Sequence, residues 1–153
     1  NELIEMSGCD SRDVATHVYN DTGPTSDVSV MGGEAHNVRK LLALIAPKDG
    51  DRSQKRDVTI SGVNVDLVGD NAGVARLVEV WNQRADHVEM GGVLISACVV
   101  RSTAARTFAY AIASPTAMAP VLISRCALPR GFEFTPPPAA GLIACTESQP
   151  ETE

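Results

Sequence analysis

Residues 58–67 read VTISGVNVDL, and this stretch decides the predicted fold class. Its apolar side chains alternate with polar or small ones. The apolar positions are Val58, Ile60, Val63, Val65 and Leu67. A period of two is typical of a half-buried strand, because successive side chains of a strand point to opposite faces. The stretch therefore predicts strands at the start of a domain over residues 58–153, which we expect to be mostly β.

The part before this stretch has a different pattern. Residues 1 to about 30 are polar and rich in turn-forming residues, so they add little to a core. Residues 34–46 carry apolar side chains at a spacing that predicts an amphipathic helix, ended by Pro47. These apolar positions are Val38, Leu41, Leu42, Leu44 and Ile45. We therefore expect an N-terminal extension that contains a helix.

A charged segment separates the two parts. Residues 48–57 read KDGDRSQKRD and contain no large apolar side chain. Such a segment gains no hydrophobic burial when it is ordered, which favours an exposed linker. The predicted division is an N-terminal extension and charged linker over residues 1–57, followed by the β domain over residues 58–153.

Two interpretations of residues 75–85 compete. Their apolar spacing is compatible with a helix, which, together with the apolar runs 92–100 and 121–126, predicts a small α/β domain. Alternatively, residues 77–81 form a strand, residues 82–86 a hairpin loop, and the chain from Val88 onward the returning strand. Periodicity does not decide between these alternatives.

Composition narrows the class of function. The 153 residues have a net charge of -6, and a negative molecule repels nucleic acid and anionic lipid. Aromatic residues make up only 4%, too few for the stacking surfaces of single-strand or sugar binders. No apolar run reaches the roughly 18 residues of a transmembrane helix. A protein partner is the expectation, with no nucleic acid and no membrane.

Several short patterns predict ordinary structural roles. Residues 69–73, GDNAG, lack the spacing of a phosphate-binding loop and predict a turn. The histidines have no i, i+4 pair, so neither a metal site nor a cofactor is expected. Four cysteines allow three pairings, and those in apolar runs are expected to be buried thiols. The cysteines in apolar runs are Cys98, Cys126 and Cys145.

Two longer blocks resemble a known family. Residues 87–97 read HVEMGGVLISA and residues 103–108 read TAARTF, similar to the "CGGxLIS" and "TAAHC" block of chymotrypsin-like serine proteases. Residues 121–125, VLISR, and 128–132, LPRGF, resemble a later strand and its corner in that family. The resemblance implies a partial chymotrypsin-like barrel and a secreted, extracellular location.

Departures from the family pattern remove its chemistry. Arg106 stands where the family has its histidine base, and a guanidinium stays protonated and cannot accept a proton. Residues 140–142 supply no carboxylate at the aspartate position, and no GDSGG segment occurs in the sequence. Met90 and Thr107 replace the two cysteines that the family joins. The resemblance therefore implies a non-catalytic homologue that acts by binding another protein, with no catalytic residue.

Trp81 is the candidate residue for partner binding. It is the only tryptophan, and it lies between Val80 and the polar residues 82–84. Tryptophan in such a position is either half-buried in the core or an anchor for a partner. The alternative function is a small α/β domain or structural assembly subunit of unknown activity.

Overall fold

The computed structural model describes residues 4–20, 28–46, 55–82, 90–112, 121–133, 143–146 and 149–150. These residues form short strands joined by corners, with no helix in the described part of the chain. The sixteen strands are β1 (Ile4–Ser7), β2 (Ser11–Arg12), β3 (Thr16–Asn20), β4 (Val28–Met31), β5 (Glu34–Val38), β6 (Lys40–Ala46), β7 (Lys55–Ser61), β8 (Asn64–Leu67), β9 (Val74–Asn82), β10 (Met90–Ser96), β11 (Val99–Ser102), β12 (Arg106–Ile112), β13 (Val121–Ser124), β14 (Ala127–Leu128), β15 (Ile143–Thr146) and β16 (Gln149–Pro150).

The strands form three parallel sheets that the chain visits in turn. The first sheet has the order β1-β4-β7-β10-β13-β15, the second β16-β14-β11-β8-β5-β2, and the third β12-β9-β6-β3. Each passage through the sheets makes one coil. The first four coils contribute one strand to each of the three sheets, and the described parts of the fifth and sixth coils contribute strands to the first two. The architecture is therefore a parallel β-solenoid, in which a coil contacts mainly the coils before and after it.

The core consists of aliphatic stacks that run through successive coils. Two stacks start from the first sheet and are at most 7% exposed. They are Val28–Val58–Val93–Val121 and Val30–Ile60–Ile95–Ile123. A single coil cannot bury its apolar face alone, so the stacking of identical or similar side chains supplies the hydrophobic stabilisation.

The corner between the first and second sheets repeats in five coils. The residue after each of the first five strands of the first sheet has a positive φ between 53° and 70°. These residues are Gly8, Gly32, Gly62, Ala97 and Arg125. The amide of Gly32 donates a hydrogen bond of 2.8 Å to the Ser61 carbonyl of the next coil, and that of Gly62 one of 3.0 Å to Ser96. The corner thus continues the ladder of hydrogen bonds between coils.

The helix predicted for residues 34–46 is wrong, because these residues form β5 and β6. Four consecutive residues of β6, 41–44, are at most 1% exposed. A continuous apolar run is compatible with both a buried helix and a buried parallel strand, and the pairing with β3 and β9 selects the strand. Of the rest of the predicted extension and linker, residues 1–3, 21–27 and 47–54 lie outside the described residues.

The strand interpretation of residues 77–81 is confirmed, since they lie within β9. The helical alternative for residues 75–85, and the α/β domain that it implied, is wrong up to residue 82, and residues 83–85 lie outside the described ranges. The predicted hairpin is also wrong. The next strand, β10, belongs to the first sheet and pairs with β7 and β13, whereas β9 pairs with β6 and β12 in the third.

The mostly-β prediction for the chain is confirmed. The parallel pairing of every sheet does not indicate a chymotrypsin-like barrel. Strands from both sides of residue 57 take part in the same sheets, and β7 begins at Lys55, inside the predicted linker. The division of the chain at this residue stays a prediction.

Candidate functional site

A groove follows the corner between the second and third sheets. Two residues of this corner, Asp13 and Asn37, have positive φ values of 57° and 53°. Aspartate and asparagine tolerate this left-handed conformation better than other residues with a Cβ atom. The Asn37 Nδ2 atom donates a hydrogen bond of 2.9 Å to Asp13 Oδ1, which ties the first coil to the second.

Two adjoining cavities make up this groove. The larger, of about 520 Å³, is lined by Asn37, Asp66, Leu67, Val68, Arg101, Ser102, Thr103, Pro129 and Arg130. The smaller, of about 380 Å³, is lined by Asp13, Val14, Ala15, Asn37, Arg39, Val68 and Gly69. They share Asn37 and Val68, so together they cross five successive coils. At the spacing of neighbouring strands this corner groove is about 19 Å long.

The charge of the corner groove differs from that of the whole chain. Its lining contains three arginines and two aspartates, which is one net positive charge on a protein of net charge -6. Arg101 and Arg130 are exposed and lie on consecutive coils at one end of the groove. Among the described residues, neither of them has an ion pair or side-chain hydrogen bond. These two guanidinium groups are available to an anionic ligand.

A histidine between two carboxylates borders the groove. His36 Nδ1 lies 2.7 Å from Asp66 Oδ2, and His36 Nε2 lies 2.8 Å from Glu34 Oε2. The hydrogen bond to Glu34, followed by that to Asp66, raises the pKa of His36. When His36 is protonated, its positive charge compensates the negative charge of Asp66. The arginines then determine the charge of this part of the groove.

Arg106, which takes the place of the base in the protease resemblance, has a structural partner. Its Nε and Nη2 atoms donate hydrogen bonds of 3.1 and 3.0 Å to the two carboxylate oxygens of Glu133. This bidentate contact raises the pKa of Arg106 and lowers that of Glu133. The guanidinium also lies 4.7 Å from the centre of the Phe108 ring. Arg106 therefore connects the fourth coil to the fifth as a permanent cation.

The predicted turn at residues 69–73 is confirmed, and its amide groups are used within the loop. Asp70 Oδ1 accepts hydrogen bonds from the backbone amides of Ala72, at 2.8 Å, and Val74, at 3.1 Å. These bonds, that from Val74 first, lower the pKa of Asp70. Amides that bind a phosphate would have to point outward instead. The turn holds the entrance to β9 next to the groove.

Trp81 lies on the third sheet, far from the groove. It is 39% exposed, while the preceding Val80 is fully buried, so Trp81 belongs to the outer face of β9. Its partner in the neighbouring β6 is Ile45, which is half-buried. Trp81 lies seven positions after Val74, which is at the corner end of β9, and this corresponds to about 23 Å along the strand. The structure does not bring Trp81 together with the groove residues.

The remaining candidates have mixed outcomes. The predicted burial of Cys98 and Cys126 is confirmed, at 1% and 3% exposure, whereas the side chain of Cys145 lies outside the description. His17 Nδ1 lies 2.7 Å from Ser11 Oγ, and burial is the main cause that lowers the pKa of His17. His87 falls outside the described residues. Across the described ranges, no group of three or more metal-ligating side chains occurs.

Sequence reasoning missed the internal repeat and, with it, the groove. The segments EMSG, SVMG, TISG, LISA and LISR end on the five corner residues, each after a strand of the first sheet. Comparison of the sequence with itself at a spacing of 22 to 35 residues was the available signal, because a solenoid repeats its coil pattern. The two LIS triplets at residues 94–96 and 122–124 are consecutive coils of the repeat.

Comparisons with known proteins identify no relative of this chain. No family model matches the chain, and neither the curated proteins nor the solved structures give a match. In the parts of the chain described above, no helix has the length and apolar character needed to cross a membrane. The function is therefore inferred from the chain's own residues.

Proposed function

We propose that this chain is a non-catalytic module that acts by binding another protein, and that an extended segment of the partner lies in the corner groove. The observation that carries the proposal is the continuity of the groove over five coils, with Arg101 and Arg130 exposed at one end and without an ion pair among the described residues. At about 3.3 Å per residue, a groove of this length accommodates about six residues of an extended peptide.

Charge selects the kind of segment that binds. The guanidinium groups of Arg101 and Arg130 form strong, bidentate hydrogen bonds with carboxylates. A segment with Asp or Glu at the arginine end matches the groove, while the net charge of -6 disfavours long polyanions such as nucleic acid. None of the groove residues is aromatic, so stacking of sugar rings or bases has no support there.

A direct test uses dye-labelled hexapeptides and fluorescence anisotropy. Peptides with two glutamates at one end should bind several-fold more tightly than matched glutamine peptides, because an ion pair between exposed groups contributes up to about 1 kcal/mol and the two arginines can form two of them. Arg101→Gln and Arg130→Gln should each remove most of this preference. Arg12→Gln is the matched control, since Arg12 is exposed but lies outside the groove lining. Equal affinity for both peptides, or unchanged binding by both groove variants, would contradict the proposal.

The non-catalytic part of the proposal concerns Arg106. A guanidinium bound to Glu133 does not accept a proton from a nucleophile. We expect no hydrolysis of peptide or ester substrates and no reaction with serine-directed phosphonates, and Arg106→His should not create either activity. Stoichiometric labelling of a serine would contradict this expectation. Kinship with the serine proteases and a secreted location stay predictions on which the binding proposal does not depend.

Trp81 supports a second contact surface for a protein partner. Its exposed indole and the neighbouring Ile45 place apolar area on the outer face of the third sheet. Tryptophan is common among the residues that dominate binding energy at protein interfaces. This surface lies about 23 Å from the corner groove, so a partner that uses both must extend around the solenoid. A role as a structural assembly subunit stays a prediction.

A further inference from the structure

Cys98 and Cys126 occupy the same position in consecutive coils. Each follows, by two residues, the end of a strand in the first sheet. The Ala127 amide donates a hydrogen bond of 3.0 Å to the Cys98 carbonyl, and Val99 pairs with Ala127 in the second sheet. Cys98 and Cys126 directly precede Val99 and Ala127 in the sequence. They are therefore neighbours in adjacent coils, Cys98 in the fourth and Cys126 in the fifth.

The two thiols share a buried pocket. Cys98 and Cys126 are 1% and 3% exposed. The Cys98 thiol donates to the Ser96 carbonyl at 3.4 Å, and the Cys126 thiol lies 3.4 Å from the Ser124 carbonyl and 3.7 Å from that of Ile95. The interaction between the two thiols is the main cause that raises the pKa of Cys98 and lowers that of Cys126 to about 7. The two cysteine side chains are thus buried next to each other, at equivalent positions of adjacent coils.

We propose that Cys98 and Cys126 form a disulfide that joins the fourth coil to the fifth. Neighbouring residues of a parallel sheet have Cα atoms about 4.8 Å apart, within the range of about 4.4–6.8 Å that disulfides span. The separation of the Cα atoms at this corner therefore allows the bond, and a small shift of the backbone brings the Cβ atoms to the separation of about 3.5–4.5 Å that a disulfide requires. The inference is independent of the proposed binding function, because neither cysteine lines the corner groove.

The oxidant is a small-molecule disulfide such as oxidised glutathione. The thiolate of Cys126 attacks one of its sulfurs and releases one glutathione thiolate, which leaves a mixed disulfide on Cys126. The Cys98 thiol then gives its proton to water, and its sulfur displaces the second glutathione from Cys126. The protein loses two protons and two electrons, and oxidised glutathione becomes two reduced molecules. Since both sulfurs are buried, exchange takes place before the coil closes or while it is transiently open.

The bond would stabilise the solenoid by reducing the conformational entropy of the unfolded chain. It would close a loop of about 30 residues, and a loop of that length restricts the unfolded ensemble enough to raise the thermal midpoint by several degrees. The equivalent positions of the second and third coils are occupied by Gly33 and Val63, which cannot form such a bond. The link is therefore confined to the fourth and fifth coils.

The experiment follows the full chain in a glutathione redox buffer. The protein is refolded under oxidising and under reducing conditions, its remaining thiols are alkylated, and its peptides are mapped by mass spectrometry. We expect a cross-linked peptide pair that contains Cys98 and Cys126, and a midpoint several degrees higher in the oxidised sample. A Cys9→Ser/Cys145→Ala variant, which keeps only these two thiols, should give the same result.

Cys126→Val provides the matched control. Valine occupies the equivalent position at Val63, so the variant should fold with the same circular dichroism spectrum. Its thermal midpoint should no longer depend on the redox buffer. The double variant Cys126→Val/Cys98→Val measures any effect of the buffer that does not involve these two thiols. The proposal is wrong if both thiols are alkylated after oxidising refolding, if glutathione stays attached without a cross-link, or if the oxidised protein is the less stable one.

Discussion

Gly33 lies where the backbones of two successive coils approach closely. It has a φ of +94°, and a Cβ atom added there would lie 2.1 Å from the Cys9 carbonyl oxygen of the preceding coil. A contact this short forces the backbone of one coil to shift. The adjacent Gly32 also has a positive φ, +68°, but nothing lies within 4 Å of its Cβ position.

We predict that Gly33→Ala destabilises the protein by more than about 3 kcal/mol, because steric displacement of backbone adds to the strain of a positive φ. Gly32→Ala is the control and should cost only about 1–2 kcal/mol, since Ala97 already adopts this corner conformation with a φ of 53°. Urea denaturation of both variants measures the difference. Equal losses would show that the close approach to Cys9 does not matter.

His36 makes stability depend on pH. Its carboxylate partners Glu34 and Asp66 raise its pKa above the ordinary value of 6.5. The stabilising contribution of the protonated ring is therefore fully present below pH 6.5 and is lost as the pH rises through the raised pKa of the folded state. We predict that the difference in thermal midpoint between the protein and His36→Gln is largest below pH 6.5 and shrinks above it.

His17 is the control of opposite sign. Burial lowers its pKa, so its protonation opposes folding, and stability should be lost as the pH falls below the unfolded value. The midpoint of His17→Gln should therefore fall less steeply on acidification than that of the unmodified protein. If the effect of His36→Gln were the same at every pH, the contacts with Glu34 and Asp66 would not contribute as charge interactions.

At the scale of the element, the two faces of β9 have different surroundings. Its inner residues contribute to the core, while Trp81 faces outward beside Ile45 of β6. Cross-strand pairs of an aromatic and a β-branched residue contribute about 0.2–1 kcal/mol. The covered part of the indole adds the burial of its apolar surface.

We predict that Trp81→Ala lowers the thermal midpoint by a few degrees without unfolding the protein, since each kcal/mol corresponds to about 2–4 °C in a chain of this length. Trp81→Phe, which keeps an aromatic ring next to Ile45, should lose less. Thermal denaturation followed by circular dichroism measures both. An unchanged midpoint in Trp81→Ala would leave partner binding as the only role proposed for this side chain.

For the whole molecule, stability depends on contacts between successive coils. Ile60 lies in the middle of a stack, between Val30 of the preceding coil and Ile95 of the next. Removing most of its side chain would leave a cavity with walls from three coils, because a fully buried site has no solvent to fill it.

We predict that Ile60→Ala costs about 2–5 kcal/mol and weakens the amide protection of β4 and β10 as well as that of β7. Hydrogen exchange resolved by strand measures this spread. Thr59→Ala, at a half-buried position of the same strand, is the control and should have a smaller effect. Loss of protection confined to β7 would contradict stabilisation between neighbouring coils.

The sequence by itself determined that residues 58–67 contain strands, that residues 69–73 form a turn, and that Cys98 and Cys126 are buried, while its pattern in residues 77–81 is compatible with a strand and with a helix. These features are local: alternation, turn composition and apolar runs reflect the requirements of a few consecutive residues. Residues 34–46 show the limit of this information. Their closely spaced apolar side chains are compatible with a helix and equally with a buried parallel strand. The secondary structure of these residues is therefore decided by the strands with which they pair.

Only the tertiary structure decided which strands pair, and with them the groove. A period of two is the same for antiparallel hairpins and for parallel coils, while the partners of each strand lie about one coil away in sequence. Asn37, Asp66, Arg101 and Arg130 are scattered along the chain and come together because equivalent positions of successive coils stack. The sequence around each of these residues does not show that they lie close together. Their side chains reach the same corner because of the register between coils, which sequence spacing alone does not reveal.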